Sequence, residues 1–191
     1  LTSSVAQEIA TNTTQSSDIA LVIDNVISII SHELEQERRA TGGLSLSSIT
    51  SSIHNVEKLT RHTNYVSSDS AQTALQSMNI ILGSVVDSHR SSEYESQSIT
   101  LDGQYDRVAS SLSNIFMSLD RNASDGANQT FTALGTLSSI ILSEMVIAAP
   151  ATTITTNLVE MTIKVDYAEQ IASEPFSTGR SHVQLPSDIA S

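Results

Sequence analysis

Apolar residues recur at helical spacing through the first three-quarters of the chain, and past Pro150 they fall instead into near-alternation. A period of 3.6 lines one face of a helix and a period of 2 lines one face of a strand, so one pattern cannot serve the other structure. Leu134–Met145 (LGTLSSIILSEM) reads as an apolar helix, and Pro150–Ala168 (PATTITTNLVEMTIKVDYA) reads as extended chain. The fold class this implies is mainly α, a multi-helix bundle followed by a short β-strand segment at the C-terminus.

The stripes define six helices. Leu1, Val5 and Ile9 open a short one that stops at the Thr-rich Thr11–Thr14. Asp18 can cap the next, whose stripe is Ile19, Val22, Ile23, Val26, Ile27, Ile30 and Leu34, and Gly42-Gly43 supplies a stop signal. A third, from about Ser45, carries Leu46, Ile49, Ile53, Val56 and Leu59. A fourth, capped near Ser68 or Asp69, carries Ala71, Ala74, Leu75, Met78, Ile81, Leu82 and Val85. After a polar loop over Ser88–Ser98, a fifth runs through Tyr105, Val108, Leu112, Ile115, Phe116 and Leu119. Arg121–Asn128 (RNASDGAN) has loop composition, and a sixth helix carries Phe131, Leu134, Leu137, Ile140, Ile141 and Met145. None keeps strict heptads, which disfavours a long coiled coil. The core is expected to rest on Ile23, Ile27, Ile53, Leu82, Leu112, Ile115, Leu137 and Ile141.

Past Pro150, the near-alternation of Ile154, Leu158, Met161, Ile163 and Val165 suggests one strand or a bent pair. Glu174-Pro175 and Ser177–Gly179 mark a turn, and Val183 with Leu185 begin another extended piece. Two strands bury too little to stand alone and are expected to complete a sheet elsewhere. The division is therefore 1–149, a helical bundle, and 150–191, the first strands of a β-rich subdomain.

Composition removes several function classes. The net charge of −12 leaves no Lys/Arg face to displace phosphate counterions, so neither nucleic acid nor an anionic membrane surface is an expected partner. The absence of cysteine removes thiolate catalysis, Cys-based zinc sites and disulfides. The longest apolar candidate, Leu137–Ala149, is broken by Ser138, Ser139, Ser143 and Glu144, short of the roughly 18 apolar residues a membrane-spanning helix needs. No basic-then-apolar leader opens the chain at Leu1, which reads as a piece of something longer. Ser and Thr supply roughly a quarter of the residues, well above ordinary usage, and suit a hydrated surface open to sugar.

Chemistry-bearing motifs are sparse. His32-Glu33 begins like H-E-x-x-H, but Gln36 stands where the second imidazole belongs. His54 and His62 are too far apart for a one-turn chelating pair. Glu33, Glu35, Glu37, Arg38 and Arg39 read as a solvated helix end. No phosphate loop, EF-hand loop or nucleophile elbow occurs, and no catalytic, metal-binding or cofactor-binding residue is expected. Three sequons remain, at Asn12, Asn122 and Asn128, in or beside expected loops, and these are the candidate glycosylation sites.

Repeated helices with Ser/Thr-rich spacers, the L-x-x-L-x-x-I-I-L-x-x-M run of Leu134–Met145, Ile154-Thr155-Thr156-Asn157-Leu158, and the closing Val183-Gln184-Leu185-Pro186-Ser187 carry a resemblance. Together they resemble the region preceding the autoproteolysis site in polycystin-like and sperm receptor-for-egg-jelly (REJ) proteins. Adhesion-type seven-helix receptors share that arrangement, a helical subdomain A followed by a β-rich subdomain B (the GAIN domain). The family's cleavage signature, a His-Leu-Thr/Ser step flanked by Cys and Trp, does not occur, so no cleavage function is carried over.

What the resemblance implies is a non-catalytic extracellular module of a membrane-anchored receptor or glycoprotein. It would lie on the outer face of the plasma or ciliary membrane, position a β-subdomain of the same longer chain, and transmit adhesion or mechanical force. Partners would be that subdomain and other extracellular proteins or glycans, with no cofactor. The alternative is a subunit of an extracellular or ciliary-surface filament assembled by strand or helix packing. A hydrolase or metal enzyme whose site is invisible in sequence is the third reading.

Overall fold

The computed structural model describes residues 13–91, 99–120, 124–165, 176–178 and 181–183. Among them are five α-helices and two short antiparallel strand pairs, so the protein is mainly helical with a β segment near its C-terminus. The helices are α1 (Thr13–Thr41), α2 (Leu46–Thr60), α3 (Ser68–Ser91), α4 (Tyr105–Ser118) and α5 (Ser124–Glu144). Strands β1 (Thr152–Thr155) and β2 (Glu160–Ile163) form one hairpin, and β3 (Phe176–Thr178) and β4 (Ser181–Val183) form another.

Helix α3 is the axis of the bundle and packs against α1, α2, α4 and α5. Its stripe is buried throughout, with Ala71, Ala74, Leu75, Met78, Ile81, Leu82 and Val85 all in the core. The eight residues expected to anchor the core are all buried. Not every stripe residue turns inward. Val22, Leu46 and Phe131 are largely exposed at the margins of their helical apolar arcs, and Leu158 is half-exposed in the turn between β1 and β2. Phe131 rests edge-on against Phe116, with ring centroids 5.8 Å apart.

Several serines and threonines of the core bond through their hydroxyls within their own helix, while the Ser113 hydroxyl is buried with no partner. Thr60, Ser77, Ser111 and Thr130 each donate to the carbonyl four residues back, at 2.8–3.0 Å. This back-bonding satisfies a buried hydroxyl inside its own helix.

Helix ends depart from expectation where tertiary contacts override local composition. Helix α1 already includes Thr13 and Thr14, so Asp18 lies inside it and is not its cap. Once the Ile stripe is anchored, adding a Thr-rich turn costs only the modest propensity difference of about 0.5 kcal/mol per residue. Helix α5 begins at Ser124, within the segment expected to be a loop. A Cβ on Gly126 would stand 3.0 Å from a Leu119 methyl, so the helix start is pressed against the end of α4. Helix α3 runs to Ser91, past the expected loop start at Ser88. Helix α1 ends as expected at Gly42, whose φ of 77° accommodates the left-handed turn and whose N–H reaches the Arg38 carbonyl at 2.9 Å. The expected first helix, Leu1–Ile9, lies outside the described residues.

Residues Thr156–Val159 turn β1 into β2. The Thr156 hydroxyl accepts from the N–H groups of Leu158 and Val159, and its own N–H donates to the Val159 carbonyl at 2.8 Å. The register pairs Thr152 with Ile163 and Thr155 with Glu160. Ile154 (1% exposed) and Ile163 (8%) point into the same core as the helices, with β1 against α4 and β2 against α5. The hairpin's inner face is thus covered by the bundle. Ser177 and Thr178, read as part of a turn, lie in β3; Leu185 lies outside the described residues.

Leu137→Ala, at a fully buried position on α5, is expected to lower the unfolding free energy by about 2–5 kcal/mol. Val22→Ala on α1 is expected to stay within about 0.5 kcal/mol. Paired urea melts check the contrast.

Candidate functional site

The densest polar constellation lies where α5 hands over to the β segment. Glu144, the last residue of α5, has a side chain only 10% exposed, and a carboxylate so desolvated must be compensated by donors. The Leu101 N–H donates to its Oε1 at 3.1 Å, and the Tyr105 hydroxyl, from the first turn of α4, donates to its Oε2. His89, in the last turn of α3, places Nε2 at 3.3 Å from Oε1.

His89 is itself held from both sides. Its Nε2 lies 2.8 Å from the Ile99 carbonyl, which can only accept, so that nitrogen carries a proton. Its Nδ1 lies 3.0 Å from the Ser143 hydroxyl. One residue earlier, the Ser88 hydroxyl accepts from the Ile99 N–H at 2.8 Å. The end of α3, the segment at 99–101, the start of α4 and the end of α5 are therefore joined through one buried carboxylate. Burial, and then the neighbouring Glu144 carboxylate, push the Tyr105 phenol well above its ordinary value of 10.

Ser143, His89 and Glu144 meet around one imidazole, an arrangement that superficially matches a nucleophile, a base and an acid. Its chemistry points elsewhere. The Ser143 hydroxyl donates to the Ile140 carbonyl at 2.7 Å, and the imidazole nitrogen facing Glu144 is shared with the Ile99 carbonyl. Helices α3 and α5 both end here, so their carbonyl ends face the site and would repel a developing oxyanion. The geometry suits holding a junction better than attacking a carbonyl. Sequence reading missed it because its members lie up to 55 residues apart, from His89 to Ser143 and Glu144, with no spacing rule linking them. The one available signal was a lone acidic residue, Glu144, interrupting the most apolar helix.

A second polar junction closes the α1–α2 turn. Glu37 stands in the charge run read as solvated, yet its Oε1 accepts from the Ser45 backbone N–H at 2.9 Å while Ser45 caps α2 through the Ser48 N–H. Hydrogen bonds from Ser48 and then from the Ser45 backbone hold the Glu37 carboxyl below its usual 4.5. Within the rest of that run, Arg39 pairs with Glu35 at 2.7 Å on the exposed face.

The remaining candidates do not converge. His32 is exposed and accepts from the Gln36 amide at 2.8 Å. His54 is half-buried on α2, and His62 lies past the end of that helix. Among the described residues no group of three or more His, Asp or Glu is placed to hold a metal ion, and no helix is long and apolar enough to cross a membrane. Two open hollows lie elsewhere, one lined by Glu35, Arg38, Gln76 and Asn79 and one by Leu46, Thr50, His54 and Arg107.

Of the sequon asparagines, Asn12 and Asn122 lie outside the described residues. Asn128 is exposed, but it sits in the second turn of α5 and not in a loop. The hydroxyl of its sequon, on Thr130, is buried (1% exposed) and bonded to the Gly126 carbonyl. The helix start that contradicts the loop expectation therefore also encloses the sequon's hydroxyl. The chain matches no protein-family model, no curated protein and no solved structure.

Two outcomes test the junctions. Tyr105→Phe removes a hydrogen bond to a charged acceptor and should cost about 1–2 kcal/mol near neutral pH. A folded value raised above the unfolded one contributes stability below the unfolded value and loses it above, so the deficit should shrink as pH rises past 10. Glu37 runs the other way: a depressed carboxyl stabilises above the unfolded value and stops doing so as pH falls through the folded one. The difference between the wild type and Glu37→Gln should hold near neutrality and fade as pH drops below 4.5. Denaturant melts across pH read both.

Proposed function

We propose that this chain is a non-catalytic structural and interaction module, a helical bundle that seats a β segment at a fixed angle and passes force along the chain. The observation that supports the reading is the seat itself. Ile154 and Ile163 of the hairpin are buried in the helical core, and the adjacent helix ends are joined through Glu144. A rigid spacer needs both, an apolar dock that holds the hairpin down and a polar tie that fixes orientation. The resemblance to the helical subdomain of polycystin-like and GAIN-containing ectodomains supplies the setting: an extracellular, membrane-anchored glycoprotein engaged in adhesion. In that setting the next partner is the remainder of a β-subdomain in the same longer chain.

A filament subunit is the second reading, favoured by Leu21, Val22 and Ile29, three large apolar residues more than half exposed on α1. Val22 and Ile29 are seven residues apart and so share a face.

Glycopeptide mass spectrometry of natively sourced protein, with sedimentation of the isolated chain over a concentration series, separates the two. Glycan on Asn12 or Asn122 and a persistent monomer are the expected outcome. Unmodified asparagines with reversible, concentration-dependent polymerisation would sink the ectodomain reading in favour of the filament. Asn128 is expected to carry less glycan than the other two, because folding buries the hydroxyl of its sequon.

A further inference from the structure

The neck between α5 and β1 joins two features that rarely occur together by chance. Ala148 has φ of 64°, a left-handed conformation that disfavours any residue with a Cβ and that marks stored strain when it occurs outside glycine. Four residues upstream of Ala148 stands the largely buried Glu144 carboxylate, which anchors the end of α5 to α3, α4 and the segment at 99–101. Between them lie Val146 (74% exposed) and Ile147 (54%), in a turn closed by the Ala149 N–H donating to the Val146 carbonyl at 3.1 Å.

Beyond that point the chain belongs to the hairpin. The Ala148 N–H donates to the Val165 carbonyl at 2.9 Å, so Ala148 is tied to the end of β2 and not to the helices. The ladder bonds of β1 and β2 are internal to the hairpin. Toward the bundle, the Ser138 hydroxyl makes a weak hydrogen bond to the Met161 sulfur, at 3.4 Å. Apolar contact is made through Ile154 and Ile163, with Val159 and Met161 half-buried beside them. Swinging the hairpin away would therefore break no strand pairing and no helix.

We infer that Val146–Ile147 is a hinge and that the Glu144-centred junction is the catch that holds it closed, so that the hairpin undocks as a unit while the helices stay packed. This rests on the proposed seating role and gives it a moving part. The catch works because α5 must keep its last turn and its orientation for Ile154 and Ile163 to meet the core. Freeing Glu144 releases the Leu101 N–H and the Tyr105 hydroxyl together and lets that last turn fray. A pull on the chain beyond Val165 loads the hinge first, because the strained Ala148 and the unpacked Val146 and Ile147 lie between the two anchored bodies. Segments with few packed contacts open ahead of the global fold.

Hydrogen exchange with mass spectrometry on the 191-residue chain tests this, using the wild type, Glu144→Gln, and Glu144→Gln combined with Ser138→Cys and Met161→Cys. The chain has no native cysteine, so the added pair can be closed by oxidation without competition. In the wild type the amides of β1 and β2 should be protected. Glu144→Gln keeps the shape and removes the charge, and should speed exchange of Leu101 and of 152–163 by about tenfold or more, with peptides of α1, α2 and the middle of α3 unchanged. Closing the disulfide should restore protection to 152–163 while Leu101 stays fast.

Exchange that rises evenly along the whole chain, or a hairpin unaffected by Glu144→Gln or by the crosslink, would overturn the hinge and leave the seating role standing. A wild-type hairpin already exchanging at the unfolded rate would overturn the seating role, and the hinge with it.

Discussion

Everything in this fold depends on the broad buried face of α3, which meets four other helices. A helix surrounded by four others must present small residues wherever a neighbour's backbone comes close and large ones wherever a gap opens. Helix α3 does this with Ala71, Ala74, Ser70, Ser77 and Ser84 among Leu75, Met78, Ile81, Leu82 and Val85. With aromatics at 4% of the chain and no Trp, branched aliphatic side chains must fill the space by interdigitation. Serine is tolerated in such a core because its hydroxyl can close on its own helix. It then behaves as a slightly larger alanine.

A bundle held only by aliphatic packing is free to slide, since apolar contact has little directional preference. The polar junctions remove that freedom at both ends. At one end Asp24 of α1 accepts from Ser67 and Ser70 at the start of α3, while the Ser68 hydroxyl accepts from the Asp120 N–H at 3.1 Å. At the other end Glu144 gathers α3, α4 and α5. Each uses a carboxylate from one helix to satisfy donors on another, so register and orientation are fixed where slippage would otherwise begin.

How much of this was legible in the sequence follows from which interactions are local. The stripe of α3, the start of α2 near Ser45 and the Gly42 stop are written within a turn or two of chain, and the structure places them as the periodicity implies. The change of period at Pro150 likewise marks the real boundary between helix and hairpin. What could not be read were contacts spanning tens of residues. Gly126 and Asn128 have loop composition, but Leu119 and the buried Thr130 hold them in a helix. Glu37 looked like one more solvated charge until the chain turned and brought Ser45 to it. The Glu144 junction is the extreme case, since each member is unremarkable alone and only the tertiary fold brings them together.

The location of that junction bears on what the molecule is for. A carboxylate costs stability to bury unless its partners are well placed, and an apolar residue at the same position would pack with less risk. The chain nonetheless places a largely buried carboxylate with several partners at the last residue of α5, just before the neck. A structure selected only for stability would gain little from that placement. One that must hold a following segment at a set angle gains orientation, because directional bonds resist rotation about the neck where greasy contacts would not. The strained Ala148 on the hairpin side and the desolvated Glu144 on the helix side are then two halves of one joint, with the angle of the β segment as its output.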